Sequence, residues 1–199
     1  MEKPDAPSTG KNRDPILAVL REAFADRRRV LEIGSGTGQH AIYFAERLPH
    51  LVWQTSDRPD FLPGIRAWLD DAALPNVLPP FVFDVLGAWP SGRYDAVYSA
   101  NTLHIMPWDA VAALFAGLPG ILEPGGLLLI YGPFNVDGQF TSESNAAFDN
   151  ALREKAPHQG IRDVGAVDAL ARQAGLALIE NRAMPSNNRC LIWRRLGVG

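Results

Sequence analysis

Cysteine is almost absent. Cys190 is alone among 199 residues, so no disulfide forms within the chain, and a reducing compartment suits it. Leu191 and Ile192 follow it in a strand-like run, the setting of a core thiol rather than of a nucleophile, which needs an electropositive and partly exposed site. No segment approaches the ~20 continuous apolar residues that span a bilayer. Met1 to Lys11 is polar, with none of the apolar run of a secretory signal, so a cytoplasmic location and no membrane partner are expected. Basic charge is also scarce: 19 Lys and Arg against 22 Asp and Glu leave a formal charge of −3. Nucleic-acid phosphates call for a concentrated basic surface, so no such partner is expected. The one dense basic run, Arg27-Arg28-Arg29, precedes a strand and suits a solvated loop or a helix C-terminus. The four histidines lack i,i+4 spacing and no Cys-x-x-Cys is present, so no metal site is expected. Gly34-Ser35-Gly36 is not a G-x-S-x-G elbow, which removes the nucleophilic hydrolase.

What is present is an ordinary globular mixture, 47% apolar and 21% charged, in a length that suits one domain. Met1–Lys11 is expected to be a flexible start and residues 12–199 a single folded unit. The chain is organised around Val30 to Gly38. Val30, Leu31 and Ile33 suit a strand covered on both faces, and Gly34, Gly36 and Gly38 admit positive φ and let backbone approach a ligand. Apolar residues at Ala41, Ile42, Ala45 and Leu48 then follow with helical spacing. Strand, glycine turn and helix together point to a nucleotide-like cofactor. A dinucleotide fingerprint, G-x-G-x-x-G, would need a third glycine where Gln39 stands; the pattern here is E-x-G-x-G-x-G from Glu32.

Along the chain, Asp14-Pro15 predicts a helix N-cap and first helical residue, with Ile16, Leu17, Val19, Leu20, Ala23 and Phe24 as the buried face. Asn12 stands just ahead, placed to fold over a cofactor cleft or to cap a turn. Leu51–Thr55 predicts a second strand ending at Asp57, which lies 23 residues beyond Gly34; an acid there accepts hydrogen bonds from ribose hydroxyls, or caps a helix. Phe81–Phe83 predicts a short strand ending at Asp84, and Tyr94–Ser99 a fourth, from which Asn101 and His104 emerge toward the cleft where strand order reverses. Trp108–Leu122 should be a helix bent or ended by Pro119. Leu127–Tyr131 is the strongest strand. A helix through Lys155 capped at Thr141-Ser142, a second over Asp163–Ala174 and a hairpin of strands near Leu176–Arg182 and Asn188–Arg194 complete the chain.

The E-x-G-x-G-x-G turn, the L-x-P-G-G sequence ending at Gly126 and the terminal hairpin resemble class I S-adenosylmethionine-dependent methyltransferases. The likeness narrows to a small methyltransferase-like family labelled domain of unknown function 938. It rests on Asn12 with Asp14–Leu17, Val30–His40, Leu48–His50, Asn101–Trp108, Tyr131–Phe134, Ser144–Asp149, Gly160–Asp163, Met184-Pro185 and Asn187-Asn188. Thr102 departs from it, where a more apolar residue is expected. The resemblance implies an α/β, Rossmann-like fold with a seven-stranded, mostly parallel sheet and a C-terminal antiparallel hairpin. It implies S-adenosylmethionine as cofactor, with Asn12, Glu32, Gly34, Ser35, Gly36, Gly38, Asp57 and Asn101 around it and Asp84 at its adenine amino group.

Methyl transfer from a sulfonium needs chiefly alignment of the reacting atoms, so the lack of a catalytic triad is no objection. His104 is the candidate base or acceptor anchor, with Tyr131 and Asn145 beside it. The expected acceptor is a small, largely uncharged or weakly polar molecule held by neutral amides and aromatics, with Asn135, Phe148, Asn187 and Asn188 also in reach. Two other readings compete: a nicotinamide oxidoreductase, disfavoured by Gln39 and the hairpin, and a non-catalytic module that binds the cofactor or a partner protein.

Overall fold

The computed structural model describes residues 3–197. In chain order the elements are α1 (Pro7–Ala23), β1 (Arg29–Ile33), α2 (Gln39–Arg47), β2 (Val52–Asp57), α3 (Leu62–Ala72), β3 (Val77–Val82), β4 (Tyr94–Ala100), α4 (Trp108–Ile121), β5 (Leu122–Asn135), α5 (Glu143–Lys155), β6 (Arg162–Asp163), α6 (Val164–Gln173), β7 (Leu176–Met184) and β8 (Asn188–Arg195). Seven strands lie in the order β3-β2-β1-β4-β5-β8-β7, and the two-residue β6 pairs with the end of β5. All pairs are parallel except β5 with β8 and β8 with β7, so the terminal hairpin folds back against β5 as the sequence pattern implied.

Both faces of the sheet are covered, which is why its strands are nearly continuously apolar. The two-residue period divides them: Leu31, Val97, Leu128 and Ile130 pack toward α4 and α6, while Val30, Ala96, Tyr98, Leu127 and Leu129 pack toward α1 and α2. Cys190 is fully buried in the second layer, where burial pushes its thiol up to about 12. β3 is an edge strand, the place where Pro79 and Pro80 do no harm to a ladder. Strand order reverses between β1 and β4, and the cleft at their C-terminal ends is where open α/β sheets hold ligands.

Two expectations change. α1 begins at Pro7, not at Asp14, so Pro7–Lys11 are helical, and Pro15 lies inside the helix. Met1 and Glu2 lie outside the described residues. Tertiary contacts override the local capping signal: the Ala6 N–H donates to Gln39 Oε1, the Pro4 carbonyl accepts from Trp68 Nε1, and Lys3 pairs with Asp71. α4 also continues through Pro119 to Ile121, because the proline falls in its last turn, where only one hydrogen bond is lost before the chain enters β5.

Candidate active site

β1 enters α2 through a turn in which Gly34, Gly36 and Gly38 have φ of 76°, 59° and 90°. A Cβ on Gly34 would stand 2.6 Å from Thr102 Cγ2, whereas one on Gly36 would meet nothing within 4 Å. The first glycine therefore lets the loop after β4 pack onto the turn, and the second leaves an open side for a ligand. Thr102 does the apolar work expected at its position through that methyl, while its Oγ1 lies 2.7 Å from Ser99 Oγ. Gly34→Ala should cost about 3 kcal/mol, combining left-handed strain with displacement of Thr102. For a domain of this size that corresponds to a Tm lower by roughly 6–12 °C. Adding Thr102→Ser removes the methyl and should recover about half of the loss; an unchanged Tm in the single variant would show that the turn does not bear on the loop.

The amides of the turn are already engaged. Gly34 and Ser35 N–H donate to the Ser56 carbonyl, Gly38 N–H to the Ser35 carbonyl and Gln39 N–H to Thr37 Oγ1. Gly36 N–H donates to Asp57 Oδ2 at 2.7 Å, and Asp57 Oδ1 accepts from Arg58 N–H. A diphosphate needs free N–H groups at the helix N-terminus. Here internal acceptors take most of them and a carboxylate stands beside the middle glycine. That carboxylate keeps lone pairs for further donors, since an ionised carboxyl accepts about four hydrogen bonds. Burial pushes the Asp57 carboxyl up, and the two backbone donors oppose that shift.

Glu32 lies beneath the turn, 2% exposed, and its Oε2 accepts from both Ser35 Oγ and Trp53 Nε1. Burial raises its carboxyl from 4.5 to about 7 against those two bonds. An acid with a raised folded pKa binds more protons folded than unfolded across that window, so stability falls as pH rises from 4.5 toward 7. The limiting loss is about 3 kcal/mol. Because both bonds converge on one oxygen, a glutamine carbonyl accepts them equally well. Glu32→Gln should therefore gain on the parent in Tm as pH rises from 5 to 8; a constant difference between the two across that range would place the Glu32 proton elsewhere.

Beside the turn lies a cavity of about 410 Å³. Asn101, His104, Tyr131 and Pro133 form its strand wall, and Ser8, Lys11, Asn12 and Pro15 of α1 form a second. Ser144, Asn145 and Phe148 of α5 close it with Pro185, Ser186 and Asn188 of the β7–β8 turn. Asn101 takes φ of 57°, a conformation asparagine tolerates, and its N–H donates to the Tyr131 carbonyl. His104 is 7% exposed, stands edge-on to Phe148, and neither ring nitrogen has a hydrogen-bond partner among the described residues. Burial and then the nearby Arg162 guanidinium lower it to about 4, so the ring is neutral at ordinary pH. Burial pushes the Tyr131 phenol up to about 12, and the nearby Asn188 and Asn12 side chains oppose that shift. Asn12 Oδ1 also meets His40 Nε2 at 2.8 Å and so ties α1 to α2. Asn145 Nδ2 donates to Thr141 Oγ1 and to the Asn187 carbonyl, which spans α5 and the hairpin.

The expected residues thus fall into two groups. Glu32, Gly34, Ser35, Gly36, Gly38 and Asp57 form the turn; Asn12, Asn101, His104, Tyr131 and Asn145 line the cavity, with Phe148 and Asn188. Asp84 joins neither: it is exposed at the end of β3, and its Oδ1 accepts from Leu86 N–H, the bond of a turn former. Asn135 and Asn187 do not line the cavity. Sequence reasoning gave no role to the clamp that holds His104. Arg162 donates to the carbonyls of Leu103, Met106 and His158, Gly160 N–H donates to the His104 carbonyl, and the buried Asp149 accepts from Ile161 N–H. Both Asp149 and Gly160–Asp163 lie in the segments that carry the family resemblance. Among the described residues, no cluster of three or more His, Cys, Asp or Glu is placed to hold a metal, and no helix is long and apolar enough to cross a membrane.

The family model for "Protein of unknown function (DUF938)" matches residues 3–195. Among solved structures, the S-adenosylmethionine-dependent methyltransferase SibL superposes with a TM-score of 0.82 at 25% identity, over 96% of this chain and 56% of that one. An O-methyltransferase family protein from Burkholderia thailandensis gives 0.83 at 24% identity, over 96% and 58%. Human N-acetylserotonin methyltransferase, solved in complex with SAM, gives 0.79 at 14%, over 96% and 53%. The chain spans a little over half the length of each, and the shared part is the Rossmann-like methyltransferase fold.

Proposed function

The chain belongs to the DUF938 family, with the fold of class I S-adenosylmethionine-dependent methyltransferases, and from that premise we propose that it transfers a methyl group from S-adenosylmethionine to a small-molecule acceptor. One observation carries the choice of cofactor: the amides of the glycine turn are bonded within the protein, with Asp57 on Gly36 N–H, which suits a ribose and disfavours a diphosphate. The residues present fit the cofactor. Gly36 gives it an open approach, and Asp57 offers acceptors to ribose hydroxyls. Glu32 acts through Ser35 by fixing the turn.

When bound, S-adenosylmethionine supplies a methyl already activated by its sulfonium, and transfer is an in-line displacement in which the carbon–sulfur bond breaks as the bond to the acceptor forms. The protein contributes alignment, which can supply about 7–11 kcal/mol. Asn101 and His104 orient the acceptor atom at the β4 end of the cavity. The neutral His104 ring takes the acceptor's proton, and Tyr131, Asn145 and Phe148 bound the pocket. The test is release of S-adenosylhomocysteine from S-adenosylmethionine with a panel of small hydroxyl and thiol compounds. Acceptor-dependent release supports transfer; tight cofactor binding with no release for any compound would leave a binding module.

A further inference from the structure

Because α1 begins at Pro7, Lys11 stands on the cavity wall. Among the described residues that line the cavity, Lys11 alone carries a formal charge at neutral pH, given the neutral ring of His104. No acid lines the cavity, and the Lys11 ammonium forms no ion pair among the described residues. The neighbouring acid on α1, Asp14, is bonded to the Tyr43 hydroxyl. Lys11 is solvent-exposed, and a cation at the edge of an otherwise neutral cavity favours an anionic group on whatever enters. Pro15, Pro133 and Phe148 give the same cavity flat apolar surfaces. At the β4 wall stands His104, 7% exposed and edge-on to Phe148, a ring that can accept from a hydroxyl donor.

We infer that the acceptor is a small hydroxylated aromatic acid, its carboxylate paired with Lys11 and its hydroxyl turned to His104. The inference rests on the methyltransferase reading and deepens it. The acceptor oxygen gains the methyl as the carbon–sulfur bond breaks, the hydroxyl proton passes to His104 and then to water, and S-adenosylhomocysteine leaves without the sulfonium charge. Burial of His104 beside Arg162 disfavours the imidazolium, which suits a proton as acidic as a phenol's better than an alkanol's.

The probes are 3- and 4-hydroxybenzoate, their methyl esters and 4-hydroxybenzylamine, titrated calorimetrically into protein saturated with S-adenosylhomocysteine. At least one acid should bind about fivefold to tenfold tighter than its ester, and the amine weakest. Lys11→Gln should bring the acid-to-ester ratio below about twofold while the ester and S-adenosylhomocysteine bind as before. High salt should shrink the ratio in the parent. Equal binding of acid and ester, no binding of any acid, or a preference that survives Lys11→Gln overturns the inference and leaves the methyltransferase reading standing. Loss of S-adenosylhomocysteine affinity in Lys11→Gln with the preference intact would assign the lysine to the cofactor and overturn it too. If the parent gives no heat with S-adenosylhomocysteine at all, both readings fall.

Discussion

Asp57→Ala should bind S-adenosylhomocysteine about a hundredfold more weakly than the parent while remaining folded. Two losses combine. The ribose hydroxyls lose a charged acceptor, and Gly36 N–H loses the 2.7 Å bond that fixes the open part of the turn. Charge-assisted bonds contribute roughly 1.5–3 kcal/mol each, so about 3 kcal/mol is a modest expectation. Each factor of ten in affinity is about 1.4 kcal/mol. The fold should survive because the β1–β2 ladder and the bonds from Gly34 and Ser35 to the Ser56 carbonyl are untouched. Asp57→Asn separates the two contributions, since an amide oxygen still accepts from Gly36 but carries no charge. If Asp57→Ala binds as tightly as the parent, the carboxylate serves only to staple the turn to β2.

The second large effect is at His104. His104→Ala should lower turnover by about a hundredfold or more, the lower end of what a positioned base contributes. Affinity for S-adenosylhomocysteine should stay within about threefold, a cost under ~0.7 kcal/mol. The separation is expected because the ring lines the cavity while the turn is held by other groups. Its pH signature follows from a pKa lowered to about 4: the base is neutral, and active, above that value, and turnover carried by it is lost only as pH falls toward 4. A loss centred near pH 6.5 would mean a solvated imidazole, contrary to the burial of His104. A variant that loses cofactor and keeps turnover would put the mouth of the pocket elsewhere.

The strand–turn–helix unit was legible because its signals are local: apolar residues at Val30, Leu31 and Ile33, glycines where positive φ is required, and helical spacing behind them. The terminal hairpin was legible for the same reason. α1 was misjudged because Asp14-Pro15 is a valid local start signal, and the contacts that extend the helix to Pro7 come from α2 and α3, distant in sequence. The cavity was half legible. Asn101, His104 and Tyr131 follow from strand ends, but Lys11 depended on the helix start. The clamp from Arg162 to the Leu103 carbonyl spans 59 residues, and the bond from Asn145 to the Asn187 carbonyl spans 42; neither leaves a local pattern. Asp84 shows the converse, a strand-end acid whose visible bond is that of a turn.

The choice between a ribose-facing turn without a diphosphate site and a dinucleotide site is tested most directly by calorimetric titration of the protein with S-adenosylhomocysteine and, separately, with NAD. Micromolar binding of S-adenosylhomocysteine and no heat from NAD is the expected result. Micromolar binding of NAD with no response to S-adenosylhomocysteine would contradict it, and with it the assignment of every residue placed around the turn.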